Sequence, residues 1–349
     1  MVNCQLVFGG FMLTQEQTRE KYNEKQLFKN INASFFAVVA QQSISLILQI
    51  GVVFFAILML SIFANIYSID YNEAYKNLSD LFSTKSTIGL ILTILMYVFF
   101  IFLPYAFYLV IRKKKISSVM SFKPPKPLQL LTGVFISLGF FVIGKIISGI
   151  ILLVLQFLKI PPRDIPLDVP SGILNIILFT IMIAILPPLL EEFAFRGVIL
   201  GETKGYNPAL AVLISAFAFS FMHGTISQIP YAFTFGLAIG YFVIKFNSIW
   251  IGIITHFIVN GWAVILSLLE KNINQNILNL ISLGVDFIFF SLAIIFIIVF
   301  FMNNKISLSK TQNSLPFGRA LVSFFRSPLI YIFILLTVVM VFISGYLNV

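Results

Sequence analysis

Apolar stretches of 18 or more residues recur from one end of this chain to the other, a pattern that a bilayer-crossing helix requires and a soluble core does not. A spanning helix needs about 20 predominantly apolar residues. The runs lie near residues 36–67, 88–111, 129–158, 172–200, 208–226, 229–246, 249–269, 277–302 and 328–347. They predict an all-α, polytopic transmembrane helical bundle of about nine spans, eight to ten at the limits. Composition agrees, since only 10% of the 349 residues are charged, against about 25% in an average soluble domain. No connecting loop exceeds about two dozen residues, so any chemistry has to sit in or at the membrane. The single cysteine, Cys4, excludes a disulfide framework and a Cys-based zinc site.

Orientation follows from Lys and Arg. With a cytoplasmic N-terminus, the inside segments collect Arg19, Lys21, Lys25, Lys29, the run Arg112 to Lys115, Lys123, Lys126, Arg196, Lys204, Lys245, Lys305, Lys310, Arg319 and Arg326, which is 17 of 23. The outside segments hold Lys76, Lys85, Lys159, Arg163 and Lys271, and also Asp70, Glu73, Asp80, Asp164 and Asp168. This asymmetry predicts N-inside and C-outside. The formal charge of +10 is then a property of basic cytoplasmic loops and calls for no nucleic-acid partner.

Four regions result: a polar cytoplasmic segment at 1–35, N-terminal transmembrane helices at 36–158, a core at 172–269 and C-terminal helices at 277–349. The first 35 residues lack the apolar core and small-residue cleavage site of a signal peptide, and Met12 is an alternative start. No repeat supports the inverted halves of a secondary transporter. Isoleucine-, asparagine-, phenylalanine- and lysine-rich composition with short loops fits a bacterial plasma membrane.

Seven ionisable residues fall inside the apolar runs: Lys145, Glu191, Glu192, Arg196, His223, His256 and Asp286. Each full charge near a helix centre opposes insertion by roughly 3 kcal/mol, so such groups face one another or a wet cavity. Both histidines of the whole chain are among them. Lys145 and Asp286 are expected to form a structural interhelical pair, and Gly236-x-x-x-Gly240 to serve close helix packing.

The fourth run reads Leu186-Pro187-Pro188-Leu189-Leu190-Glu191-Glu192-Phe193-Ala194-Phe195-Arg196. Two prolines predict a kink one turn before the acids. Glu192 and Arg196, at i,i+4, share one helix face, whereas Glu191 points about 100° away. Two readings stand here: a headgroup-level charge cluster with a snorkelling Arg, or a buried Glu191 steadied by a Glu–Arg pair. Further along come Phe219-x-x-x-His223 and His256-x-x-x-Asn260. At 1.5 Å per residue, Glu191, His223 and His256 lie ~18, ~22 and ~10 Å from the cytoplasmic ends of their helices, a level at which one cavity can hold all three. Lys204 and Lys245 are expected at its mouth, with Phe193, Phe195, Phe219, Phe221 and Phe257 as candidate lining.

Glu191-Glu192-x-x-x-Arg196, Phe219-x-x-x-His223 and His256-x-x-x-Asn260, in that order on consecutive spans, resemble the CPBP family of CAAX proteases and bacteriocin-processing (Abi) enzymes, which includes the type II CAAX prenyl endopeptidases. The resemblance covers about residues 172–269 and implies an intramembrane endopeptidase acting on a membrane-associated protein or peptide from the cytoplasmic side. It implies Glu191 as the general base that activates a water with His223, His256 and Asn260 as oxyanion donors, and Glu192, Arg196 and Phe219 as support. A carboxylate in a poorly solvated cavity can exchange protons near neutral pH, and fixed donors at low dielectric stabilise an oxyanion strongly. Glu191, His223 and His256 are also a legitimate three-ligand zinc set, although they lack the His-Glu-x-x-His spacing of one-helix zinc proteases. The reading adopted is glutamate-activated water without an obligatory metal, with zinc as its alternative. Two other functions compete: a non-catalytic membrane immunity or scaffold protein that keeps the motif fold, and a proton-coupled transporter using the same groups as a relay.

Overall fold

The computed structural model describes residues 7–8, 11–12, 14–67, 70–159, 169–303, 306, 308–309, 311 and 313–346. Cys4, Arg163, Asp164, Asp168, Lys305 and Lys310 lie outside the described residues. Apart from an antiparallel pair of two-residue strands, β1 (Val7–Phe8) and β2 (Phe11–Met12), the described residues form helices and the turns between them.

Helix α1 runs from Gln15 to Tyr67, so residues 15–35 continue into the first apolar run without a break. A capping box starts it: Gln17 N–H donates to Thr14 Oγ1, and Thr14 N–H donates to Gln17 Oε1. The polar-looking first half of α1 is held in the bundle by Leu27 and Ile31, both fully buried. Next come α2 (Tyr71–Phe82), capped by Asp70, and α3 (Thr87–Ile111), capped by Ser86. After the short α4 (Ile116–Val119), the stiff Pro-rich connector delivers Pro127 to the first position of α5 (Pro127–Phe157), where its missing N–H costs nothing.

The fourth span is one rod from Ile173 to Thr203, but not a uniform one. It contains α6 (Ile173–Thr180), a π-helical turn (Ile181–Ile185), α7 (Leu186–Glu191), a second π-helical stretch (Glu192–Ile199) and α8 (Leu200–Thr203). Pro187 and Pro188 supply the reason for the first of these turns. Neither can donate a backbone hydrogen bond, so the ladder before them is remade with wider turns instead of bending sharply. Then follow α9 (Pro208–Met222), α10 (Gln228–Phe246), α11 (Trp250–Glu270), α12 (Gln275–Asn303), α13 (Phe317–Phe325) and α14 (Pro328–Tyr346).

Among the described residues, seven helices are long and apolar enough to cross a membrane, and eight if the pair α13–α14, bent by 63°, counts as one span. The chain is an integral membrane protein of the expected all-α class. The fifth apolar run differs from expectation. Its helix, α9, has 15 residues and is therefore about 22 Å long, short of the ~30 Å hydrocarbon layer. The turn at residues 223–227 is consequently inside the bundle, where bare backbone is tolerated only if protein satisfies it. Ser148 does part of this by donating to the Ser227 carbonyl at 2.8 Å.

Helix α10 packs most extensively on α5 and α9, α12 on α5, and α1 on α14 and α3. The glycine pair works as expected from its spacing: a Cβ on Gly236 would come 3.1 Å from the Ala216 backbone, and one on Gly240 within 3.4 Å of Leu200 and Val212. Aliphatic and aromatic side chains such as Phe54, Leu95, Phe107, Ile150 and Phe287 point outward, the distribution a hydrocarbon solvent favours. Several basic residues gather at one end. There Lys114 pairs with Glu202, Arg319 with Glu20 and Arg326 with Glu24, and Asn30 donates to the Glu202 carbonyl.

Candidate active site

Glu191, Glu192 and Arg196 are 6%, 0% and 1% exposed, which decides against the headgroup-level cluster. Arg196 donates to Glu192 Oε1 at 2.7 Å, and its guanidinium lies 4.2 Å from the centre of the Phe219 ring. An ion pair without solvent needs such help, because each charge has lost its hydration. Gly252 makes the room: a Cβ there would lie 2.3 Å from Glu192 Oε2.

The two acids are closer in function than a 100° separation suggests. A π-helical stretch begins at Glu192 and holds more residues per turn, so successive side chains diverge less. As a result His256 of α11 faces both, its Nδ1 3.3 Å from Glu192 Oε1 and its Nε2 3.9 Å from Glu191 Oε2. The second distance is beyond a direct hydrogen bond. Oε2 of Glu191 has no hydrogen-bond partner among the described residues, whereas Oε1 accepts from the hydroxyl of Tyr97.

His223 ends α9, and its Nδ1 lies 2.8 Å from the Phe219 carbonyl one turn back. A carbonyl only accepts, so Nδ1 carries a proton and Nε2 is the ring nitrogen turned elsewhere. The Phe219 ring meets both histidines edge to face, with centroids 5.0 Å from His223 and 5.6 Å from His256. Phe219 is thus the common wall of the cluster.

Asn260 takes a different place. Its Nδ2 donates to the Ile183 carbonyl at 2.9 Å. That carbonyl would be served by residue 187 in an α-helix and by residue 188 in a π-helix, and both are proline. Asn260 replaces the lost donor and keeps one further N–H of its own.

A cavity of about 450 Å³ adjoins the cluster and is lined by Glu191, His223, Tyr97, Gln41, Gln42 and Gln228, among others. His256 and Asn260 lie behind Glu191 and do not line it. Nor do the five phenylalanines expected there: Phe195 and Phe219 are in the core, and Phe257 faces outward. The lining comes from the middle of the bundle and from the ends where α3 and α10 begin. Lys204 and Lys245 are at the opposite end and do not form its mouth. Among the described residues, no three His, Cys, Asp or Glu side chains converge as a metal set.

Residues 173–262 match a family model described as type II CAAX prenyl endopeptidase Rce1-like. Over this core the chain is similar to the Rce1-like family. The match encloses every motif residue from Glu191 to Asn260, and within the Rce1-like core all of them except Asn260 meet around Glu191 and Phe219. A curated relative, the membrane-embedded CAAX protease MroQ of Staphylococcus aureus (strain USA300), is 32% identical over 100 residues, which is 27% of this chain and 40% of that protein. This chain therefore matches well under two thirds of that relative's length. No solved structure matches.

Tyr97 lies outside the Rce1-like core and was not legible as a site residue. A signal was present in the polar pair Thr93 and Tyr97, at i,i+4 in an otherwise apolar helix, both of which line the cavity.

Proposed function

We propose that this chain is an intramembrane endopeptidase that hydrolyses a peptide bond of a membrane-associated protein or peptide, using water activated by Glu191 and His223. One observation carries the reading: Glu191, whose Oε2 has no hydrogen-bond partner among the described residues, and His223, whose Nδ1 is tied to the Phe219 carbonyl, line the same cavity. The Rce1-like core supports it.

In this mechanism Glu191 takes a proton from a water hydrogen-bonded to His223, and the water oxygen bonds to the scissile carbonyl carbon. The carbonyl electron pair becomes an oxyanion, assigned to His256 and the remaining N–H of Asn260 once substrate separates Glu191 from His256. Collapse of the intermediate breaks the C–N bond while the proton held on Glu191 passes to the leaving nitrogen. Glu192, Arg196 and Phe219 hold this geometry. No step is routed through a metal.

The proposed setting is a bacterial plasma membrane with a cytoplasmic N-terminus, supported by the basic residues gathered at one end of the bundle. The expectation of an active site open toward the cytoplasm has less support, since the cavity extends from Glu191 toward the other end. Substrate is therefore proposed to reach Glu191 from within the bilayer.

Quantitative proteomics of membrane peptides, comparing cells with wild type and Glu191→Gln, tests the reading. Fragments that disappear in the variant, and also in His256→Ala, are expected, with both variants inserted normally. Undiminished cleavage in Glu191→Gln refutes the proposal. A preserved cellular phenotype without carboxylate-dependent fragments would favour the non-catalytic immunity or scaffold role.

A further inference from the structure

The cavity beside Glu191 is only partly built by the Rce1-like core. Its other wall comes from α1, α3 and α14, and on it stand two adjacent carboxamides, Gln41 and Gln42, 3% and 4% exposed. Buried amides in an apolar helix are tolerated when every polar atom finds a partner. Gln41 does: the Tyr105 hydroxyl donates to its Oε1 at 2.8 Å, and its Nε2 donates to the Met222 sulfur at 2.9 Å.

Gln42 is served on one side only. The Thr337 hydroxyl donates to the Phe333 carbonyl at 3.0 Å, so toward Gln42 its oxygen can only accept. That dictates which end of the carboxamide faces it, and Gln42 Nε2 donates to Thr337 Oγ1 at 3.1 Å. The carbonyl Oε1 is thereby turned away from Thr337, and it has no hydrogen-bond partner among the described residues. The same cavity is thus lined by Glu191 and by a buried carboxamide whose oriented acceptor needs a donor.

A peptide bond attacked by water has to be presented in an extended segment, and unwinding a helix inside a bilayer strips its N–H groups of partners. We propose that Gln42 is a substrate-positioning residue whose Oε1 accepts a hydrogen bond from a backbone N–H of an extended peptide segment lying beside Glu191. The inference rests on the protease reading and adds to it the class of ligand the cavity takes. An unwound peptide offers the donor; a lipid chain offers none. It also gives α1, outside the Rce1-like core, a part in recognition.

The test uses the full chain in liposomes and one probe, a 20-residue Leu- and Ala-rich peptide with a central Ala-Gly-Ser-Ala segment and a fluorophore and quencher at its ends. A companion set replaces each central amide with an ester, which deletes a single N–H. Binding is read on Glu191→Gln and cleavage on the otherwise wild-type chain, each with and without Gln42→Leu. We expect one ester to raise Kd and KM about fivefold to tenfold, the loss of roughly one hydrogen bond, with kcat little changed. The same ester should have no effect beside Gln42→Leu, and Gln42→Glu, which keeps an acceptor, should restore the sensitivity. Thermal unfolding of both variants in detergent checks that each is folded.

Equal binding of amide and every ester by Gln42→Leu and its parent overturns the proposal, as does failure of the probe to bind. Ester sensitivity that depends on Gln42, without Glu191-dependent cleavage, keeps the positioning site and overturns the protease reading. Cleavage without that dependence does the reverse.

Discussion

Tyr97 of α3 donates its hydroxyl proton to Oε1 of Glu191, 94 residues further along the chain, and leaves Oε2 as the free oxygen of that carboxylate. A hydrogen bond to a charged group contributes about 1.5–3 kcal/mol. Tyr97→Phe keeps the ring and removes the bond, so Glu191 is held less well while the fold stays intact. Steady-state cleavage of the quenched peptide is expected to show kcat lowered by about tenfold or more, KM nearly unchanged and an unaltered unfolding midpoint. Unchanged kcat would exclude a role for this contact.

Arg196 and Glu192 share a site with no solvent on either side chain. Removing one partner strands the other, at a cost of about 3–5 kcal/mol. Arg196→Met is expected to unfold in detergent well below wild type, and Arg196→Met with Glu192→Leu to recover much of the loss. A double variant as unstable as the single one would contradict this account.

Gly252 faces Glu192 Oε2 where a Cβ would lie 2.3 Å away, with Ile239 also within 3.1 Å. Overpacking of this kind costs about 1–3 kcal/mol. Gly252→Ala should therefore lower the unfolding midpoint and also activity, because Glu192 must move and takes His256 with it. Comparing that loss with Gly261→Ala on the same helix, where a Cβ meets open space, separates the clash from a general glycine effect.

Asn260 replaces the donor that Pro187 and Pro188 deny to the Ile183 carbonyl. Asn260→Leu leaves that carbonyl unpartnered, a cost of about 1–3 kcal/mol. A lower unfolding midpoint is expected in Asn260→Leu, with Asn260→Gln intermediate. If stability is untouched and only kcat falls, the residue serves the oxyanion alone.

Lys145 and Asp286 join α5 to α12 at 2.5 Å, away from the cavity. Lys145→Met should lower the unfolding midpoint, and Lys145→Met with Asp286→Leu should restore most of it. Cleavage by the double variant is expected to match wild type, which would confirm the pair as structural.

The sequence by itself determined the class of fold and singled out the ionisable residues that the bundle buries together. Long apolar runs admit few arrangements in water or lipid, and a charge inside one is costly enough to announce itself, so Glu191, Glu192, Arg196, His223 and His256 were legible without coordinates. Local spacing also gave the Glu192–Arg196 pair and the Gly236–Gly240 packing face. Only the tertiary structure decided how those groups meet. The π-helical stretch that starts at Glu192, and with it the meeting of both acids at one histidine, is not encoded by a 100° rule. The short α9, the tie of Asn260 to Ile183, the contact of Tyr97 with Glu191 and the place of Gln42 on the same cavity arise from packing between helices far apart in the chain. Periodicity reports which face of a helix is polar, but the neighbour that face meets is chosen by the bundle as a whole.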